Sequence, residues 1–169
     1  IFIDRDHRIW IGTRDGLLVY DNSNQSFVRP EKYAPHLGIS SLPGLRIFTM
    51  AQTKNGEYWI GTQDGLFRKK NDSVTERFHT EAGPDKRISA NLVYDILEDR
   101  EGFIWIATTE GLDVFNPFDL TIKHFKKKEG VTNYLADNFI TALFEDNEGN
   151  IWIGTSSYVN KFLKKDSVF

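Results

Sequence analysis

The stretch Phe103-Ile104-Trp105-Ile106-Ala107-Thr108 has three counterparts in the chain: Arg8-Ile9-Trp10-Ile11-Gly12-Thr13, Glu57-Tyr58-Trp59-Ile60-Gly61-Thr62 and Asn150-Ile151-Trp152-Ile153-Gly154-Thr155. Trp10, Trp59, Trp105 and Trp152 are the only tryptophans, and successive ones lie 49, 46 and 47 residues apart. A near-constant period of this length marks a repeat architecture. Three residues ahead of the indole stand Gly56, Gly102 and Gly149, with His7 in the first copy. Apolar segments precede these glycines, at Ile47 to Ala51, Val93 to Leu97 and Ile140 to Phe144, and Gly16-Leu17, Gly65-Leu66 and Gly111-Leu112 follow the Thr in the first three copies.

Each repeat divides into four short strands. In the third copy Val93 to Glu98 is followed by the polar turn Asp99-Arg100-Glu101-Gly102, whose glycine can take the positive φ that a reversal needs. Phe103 to Thr108 and Leu112 to Asn116 come next, closed by Pro117, which cannot donate to a ladder. A more polar strand runs from about Thr121 to Lys126. Helical periodicity is absent throughout. The second strand is apolar at consecutive positions, so it requires cover on both faces. Antiparallel four-stranded sheets stacked flank to flank supply that cover, and a 45-residue period of this kind predicts a β-propeller. The tryptophans are then wedges between blades, each burial worth roughly 2–3 kcal/mol.

The expected fold is all-β: a single partial β-propeller over residues 1–169, of nearly four four-stranded antiparallel blades at about 1–30, 45–80, 91–127 and 138–169. Complete first strands begin 12 residues before their Trp, at Ile47, Val93 and Ile140, whereas nine residues precede Trp10, and Phe169 lies 17 residues after Trp152. The first and last blades are therefore expected to be incomplete. An open arc exposes two apolar sheet faces, so further blades or a second copy of the chain are expected to cover them.

Composition narrows the function. The 169 residues are 40% hydrophobic and 27% charged, which suits a globular domain, and 21 Lys+Arg against 24 Asp+Glu give a net charge of −3. No basic field exists to hold nucleic acid. Apolar runs such as Phe103 to Ala107 are far too short to cross a bilayer, so no membrane contact is expected within this segment. The absence of cysteine excludes disulfides, thiolate metal sites and a cysteine nucleophile. The sequence opens Ile-Phe-Ile-Asp with no targeting pattern, as an excerpt would.

The phrase Glu145-Asp146-Asn147-Glu148-Gly149-Asn150-Ile151-Trp152-Ile153-Gly154-Thr155, with Asp15-Gly16-Leu17 to Tyr20-Asp21 of the first copy, resembles the two-component regulator propeller repeat. That repeat builds the sensory ectodomains of hybrid two-component histidine kinases of Bacteroidetes. The resemblance recurs four times and implies a periplasmic sensor domain of an inner-membrane protein, which recognises an oligosaccharide released from a polysaccharide and signals to a cytoplasmic kinase.

The residues themselves offer little chemistry. His7, His36, His79 and His124 show no metal-binding spacing. The turns beginning at Asp99 and Asp146 superficially resemble calcium loops but lack the alternating carboxylates and distal Glu. Glu110 with Asp113 could serve a glycosidase, yet Glu110 fills the turn slot of Asp15 and Asp64. Lys126-Lys127-Lys128 suits a solvated loop. No catalytic residue, metal or cofactor is expected.

Binding by loops on a rigid scaffold remains. In a propeller the connection entering each inner strand shares one face with the turn between the second and third strands. On that rim Arg46, Asn91, Tyr134, Asn138 and Tyr158 supply the planar polar groups and rings suited to a sugar. Asn91 and Asn138 equally suit fastening a loop to the backbone. Tyr158 stands where the other copies carry Gly16, Gly65 and Gly111, so the fourth turn should take another shape. The connection from Arg29 to Gly44, with Pro30, Tyr33, Pro35, His36 and Pro43, is the longest and a second place for contacts. A non-catalytic sensor propeller is the reading that results. A protein-interaction scaffold and a propeller lyase or hydrolase are the alternatives.

Overall fold

A computed structural model describes residues 1–33, 35, 39–70, 74–131, 134–166 and 168–169. Four antiparallel sheets follow one another along the chain. The first holds β1 (Phe2–Ile3), β2 (Ile9–Thr13), β3 (Gly16–Asp21) and β4 (Ser26–Val28), and the second β5 (Ile47–Gln52), β6 (Tyr58–Thr62), β7 (Gly65–Lys70) and β8 (Val74–Phe78). The third holds β9 (Val93–Glu98), β10 (Ile104–Thr108), β11 (Gly111–Asn116) and β12 (Thr121–Phe125). The fourth has three strands among the described residues, β13 (Ile140–Glu145), β14 (Ile151–Thr155) and β15 (Val159–Phe162). Within each sheet the strands pair in chain order, and β5 lies beside β9 and β9 beside β13. This is the expected propeller architecture. One element has no counterpart in the periodicity reading: a four-residue helix, α1 (Pro30–Tyr33), in the connection after β4. Proline opens it, at the position where a missing N–H breaks no helical bond.

Burial follows blade position. Every residue of β6 and β10 is buried, since the middle sheets are covered on both faces. In β2 and β14 only some are, because each outer sheet has a neighbour on one side. Trp10 and Trp59 are 0% exposed and Trp105 3%, whereas Trp152 is 39% exposed. Each buried indole meets a ring of the following blade: Trp10 meets Tyr58 at 6.0 Å between centroids, Trp59 meets Phe115 at 5.6 Å and Trp105 meets Phe162 at 5.3 Å. The wedge reading thus holds for three tryptophans. Among the described residues no sheet follows Trp152, which instead carries the Lys161 ammonium 5.1 Å over its ring.

A second periodic residue sets the indoles. Six residues before each Trp stand Asp4, Thr53, Asp99 and Asp146. Asp99 Oδ1 accepts the N–H groups of Glu101 (2.9 Å) and Phe103 (3.0 Å), and Oδ2 accepts the Trp105 indole N–H (2.8 Å). Asp4 does the same for Asp6, Arg8 and Trp10, and Asp146 for Glu148, Asn150 and Trp152. One carboxylate therefore closes the turn and orients the wedge, which is the use of the two turns that resemble calcium loops. In the second blade the Thr53 hydroxyl still accepts the Glu57 N–H at 3.1 Å, but the Trp59 indole N–H is buried without a partner. The following blade also reaches the carboxylate: the Tyr58 hydroxyl donates to Asp4 at 3.0 Å and Lys164 Nζ to Asp99 at 2.9 Å. Burial would push Asp4 up, but bonds from Trp10 and Arg8 outweigh it and hold the carboxyl below its usual range. Burial and the Asp4 charge together push Tyr58 up to about 12.

The neighbouring turns are stitched in one direction. The Arg5 N–H donates to Gln52, the Lys54 N–H to Glu98 and the Arg100 N–H to Glu145, while Lys54 Nζ reaches the Asp99 carbonyl and Arg100 the Asn147 carbonyl. Each blade thus holds the next through a basic residue placed directly after its Asp or Thr.

Candidate functional site

At the opposite ends of the strands, the turns after β2, β6 and β14 are bonded to the connections that enter inner strands. The Leu17 N–H donates to the Ser41 carbonyl (2.7 Å), Gln63 to Arg46 (3.0 Å), Gly65 to Asn91 (2.7 Å) and Ser156 to Phe139 (3.0 Å). These bonds make the rim a fixed surface rather than a set of free loops.

The inner strands add a row of rings to it. The ladder register skips one residue in each of β5, β9 and β13, at Phe48, Tyr94 and Thr141. A bulge of this kind re-aims its side chain. Phe48 packs on Tyr94 at 4.8 Å, Tyr94 meets Phe139 edge-on at 5.3 Å, and the Arg46 guanidinium lies 4.9 Å over Phe48. Arg46, Phe48, Tyr94 and Phe139 thus form one continuous row across three blades, half-buried except for the exposed Arg46. Beside it, Asp95 accepts the Leu143 N–H (2.8 Å) and the Thr49 hydroxyl (3.4 Å), joining the inner strands of the same three blades. Burial pushes its carboxyl up, against the bonds from Leu143, Ile96 and Thr49.

Of the five rim residues named from sequence, Arg46 alone belongs to this row. Asn91 Oδ1 accepts the Thr80 N–H at 2.9 Å and Asn138 Oδ1 the Lys127 N–H at 2.6 Å, so both side chains fasten the chain that leaves the outer strand. Tyr134 packs at 5.6 Å on Phe169 under the Lys128 ammonium. Tyr158 is 62% exposed, and its N–H donates to the Thr155 hydroxyl in a turn that also bonds Phe139. Sequence reading passed over Phe48, Tyr94 and Phe139 because an aromatic in an apolar strand segment reads as core. The available signal was position: each directly follows or precedes the first buried residue of an inner strand.

Two other clusters take their roles from geometry. Asp113, fully buried, accepts the Ser89 N–H (2.7 Å) and hydroxyl (2.6 Å) and pairs with His124 Nδ1 (2.7 Å). The serine bonds the carboxylate and not the imidazole, so the trio ties a connection to β11 and β12 and activates no nucleophile. Glu110 is exposed and takes no part. Of the other histidines, His7 occupies a turn at φ 62°, His79 follows β8, and His36 lies outside the described residues. Among the described residues no three acidic or histidine side chains are grouped to hold a metal, and no helix is long and apolar enough to cross a membrane.

The Asp113 pair predicts a pH dependence. The hydrogen bond to Asp113 raises the His124 pKa above its usual 6.5. Its stabilisation is present in full below about 6.5 and is lost as pH rises through the raised value. Urea midpoints should fall by less than about 1 kcal/mol equivalent between pH 6 and 8, because the ring is half exposed. The step should be missing in His124→Gln; the same step in that variant would assign it elsewhere.

Comparison with known proteins adds a repeat. Residues 41–64, 87–110 and 134–157 match the two component regulator propeller, each match running from a connection through the Trp strand to the rim turn. Over 73 residues, 41% of the chain, it is 33% identical to "Histidine kinase P4" of Formosa agariphila, of which it spans 5%. Its fold is similar to the extracellular domain of a B. thetaiotaomicron protein described as a hybrid two component system, with TM-score 0.69, 20% identity, and coverage of 97% of this chain and 22% of that one. It is also similar to virginiamycin B lyase of Staphylococcus aureus (TM-score 0.66, 12% identity, 100% of this chain and 53% of that one). PorZ of the Porphyromonas gingivalis type-IX secretion system is a third (TM-score 0.64, 22% identity, 94% and 24%). At these identities the solved structures show the fold alone. The second, third and fourth blades of this chain carry segments that match the two-component regulator propeller repeat.

Proposed function

We propose that the chain is part of the periplasmic sensor propeller of a hybrid two-component signalling protein, non-catalytic in itself, and that its rim binds an oligosaccharide released from a polysaccharide. The observation that carries this reading is the row Arg46, Phe48, Tyr94 and Phe139, which sets aromatic faces and one guanidinium at the entries and bulges of the inner strands beside hydrogen-bonding groups. Rings of this kind stack on the C–H faces of a sugar while the guanidinium and amides meet its hydroxyls. Asn91 and Asn138 fasten the connections that enter the inner strands, and the turn holding Tyr158 is bonded to the Phe139 carbonyl. Asp95 ties the strands under the row together, so a ligand that favours one arrangement of the three blades shifts that equilibrium by its difference in affinity. The matched repeats and the kinase relative support the signalling context.

Further blades follow from the same reading. The chain spans 22% of the solved sensor-type structure, and Phe144 (63%), Tyr158 (62%) and Val159 (68%) are exposed on the fourth blade together with Trp152. A second copy of the chain is the other way to cover this blade.

Titration calorimetry with an oligosaccharide panel tests the proposal. Saturable heat with the sugar recovered unchanged is expected, and Tyr94→Ala should weaken the binding about tenfold, the loss of one stacked ring. Consumed sugar would make the propeller an enzyme. Silence across the panel would leave the rim without a sugar ligand.

A further inference from the structure

The four tryptophans differ in what lies over them. Directly across the ladder from Trp59 is Arg68, whose guanidinium lies 5.0 Å from the Trp59 ring and 5.3 Å from Phe115 of the next blade. Glu57 and Glu76 hold it there, at 2.8 and 3.4 Å. Lys161 takes the same position over Trp152, and at Trp10, where the position is Val19, the space beside the indole is taken by Tyr58. Trp105 has Val114 at this position, and among the described residues no cation lies over its ring. Between the third and fourth blades a groove of about 300 Å³ opens there instead, at the lower end of the range of ligand pockets.

The walls of the groove are those that hold Arg68 one blade earlier. Trp105 and Phe162 stand 5.3 Å apart at 59°, against 5.6 Å and 54° for Trp59 and Phe115. Phe125 lines it as Phe78 lines the space beside Arg68. The equivalent space beside Arg68 is about 70 Å³, so the larger groove reflects the shorter side chain at Val114. The carboxylates are rearranged: Glu57 and Glu76 are replaced by Phe103 and Lys123, while Asp99, Glu101 and Asp119 line the groove with Lys123 and Lys164. Three carboxylates against two ammonium groups leave the lining acidic. Lys164 bonds the buried Asp99 at 2.9 Å and also pairs with Glu101 at 3.2 Å, so Asp119 is the carboxylate it leaves free; Glu101 is 62% exposed, and Lys123 is on the exposed rim.

We propose that this groove is a docking site for an arginine side chain of a partner protein, which lays its guanidinium against Trp105 and Phe162 as Arg68 lies against Trp59 and Phe115. Delocalised, weakly hydrated and planar, guanidinium suits an aromatic slot with carboxylates at its edge better than ammonium does. The site stands apart from the rim, and neither proposal depends on the other.

The test uses N-acetyl-L-arginine amide as probe and the indole N–H resonances of the ¹⁵N-labelled chain as readout, with the Trp105 signal assigned by Trp105→Phe. The probe is expected to shift the Trp105 signal saturably and to leave that of Trp59 in place. N-acetyl-L-citrulline amide, of the same shape without the charge, should bind at least tenfold more weakly. Val114→Arg, which restores the arrangement of the second blade, should abolish the shift while retaining the dispersed spectrum of a folded chain. No saturable shift, equal binding of citrulline, or undiminished binding by folded Val114→Arg would each overturn the proposal. Should Val114→Arg fail to fold, the arginine and citrulline titrations of the unaltered chain decide it.

Discussion

Replacing Asp99 with Ala is expected to lower stability by about 3–5 kcal/mol, measured as the urea midpoint multiplied by the slope. The side chain is 0% exposed and accepts from two backbone N–H groups, the Trp105 indole and Lys164. Truncation leaves the two backbone N–H groups and the indole without their acceptor, and Lys164, 15% exposed, keeps only its pair with Glu101 at 3.2 Å. Removing one partner of a buried ion pair is costly chiefly because the other remains. Asp99→Asn keeps the Oδ1 acceptor for the turn and loses the charge that faces Lys164, so an intermediate loss of about 1–3 kcal/mol is expected. Asp146→Ala removes the same pattern of bonds at a solvent-facing position and should cost clearly less. A loss below about 1 kcal/mol for Asp99→Ala would show that the carboxylate does not hold the third and fourth blades together.

The same motif shows what could be read from sequence. The tryptophan period, the turn glycines and the unbroken apolar strands led directly to stacked four-stranded sheets, because each of these signals is a backbone or burial requirement repeated in every copy. The Asp at six residues before the Trp was visible in three of four copies, yet its role lies in a side chain reaching across a turn. Thr53 obscures it, since a hydroxyl keeps the turn bond and abandons the indole. His7 was legible as a glycine substitute, and its φ of 62° confirms the slot, histidine being among the side chains that enter the left-handed region most readily. Helix α1 was not legible: four residues carry less than two turns of periodicity. The aromatic row was not legible either. Phe48 and Tyr94 leave the core only because the register slips by one residue, and a slip reverses the face on which a side chain stands. Asn91 and Asn138 carry amides suited to both binding and fastening, and contact partners assign them, not residue type.

Gly65→Ala and Gly56→Ala should separate two costs that sequence alone treats as one. Both glycines have positive φ, +98° and +90°. At Gly56 an added methyl group meets nothing within 4 Å, so the substitution carries the conformational strain alone, about 1–2 kcal/mol. At Gly65 the methyl would run into the Phe78 carbonyl oxygen, which is backbone at the end of β8 and cannot rotate away. The turn must withdraw, and with it the 2.7 Å bond from the Gly65 N–H to the Asn91 carbonyl that fixes the rim. A loss on the order of 4 kcal/mol is expected, from strain, overpacking and a broken bond together. Gly16 and Gly111 press on the Ser41 and Phe125 carbonyls in the same way. The fourth blade explains itself by the same contact: no strand lies outside β15 among the described residues, and Tyr158 occupies the slot without a positive φ. Tyr158→Gly should therefore change stability by less than about 1 kcal/mol. Equal losses for Gly65→Ala and Gly56→Ala would mean that the glycines are retained for their dihedral angle and that the carbonyl contact is incidental. A larger loss at Gly65 would mean that the period of the repeat preserves a close approach of backbone to backbone, on which the geometry of the rim depends.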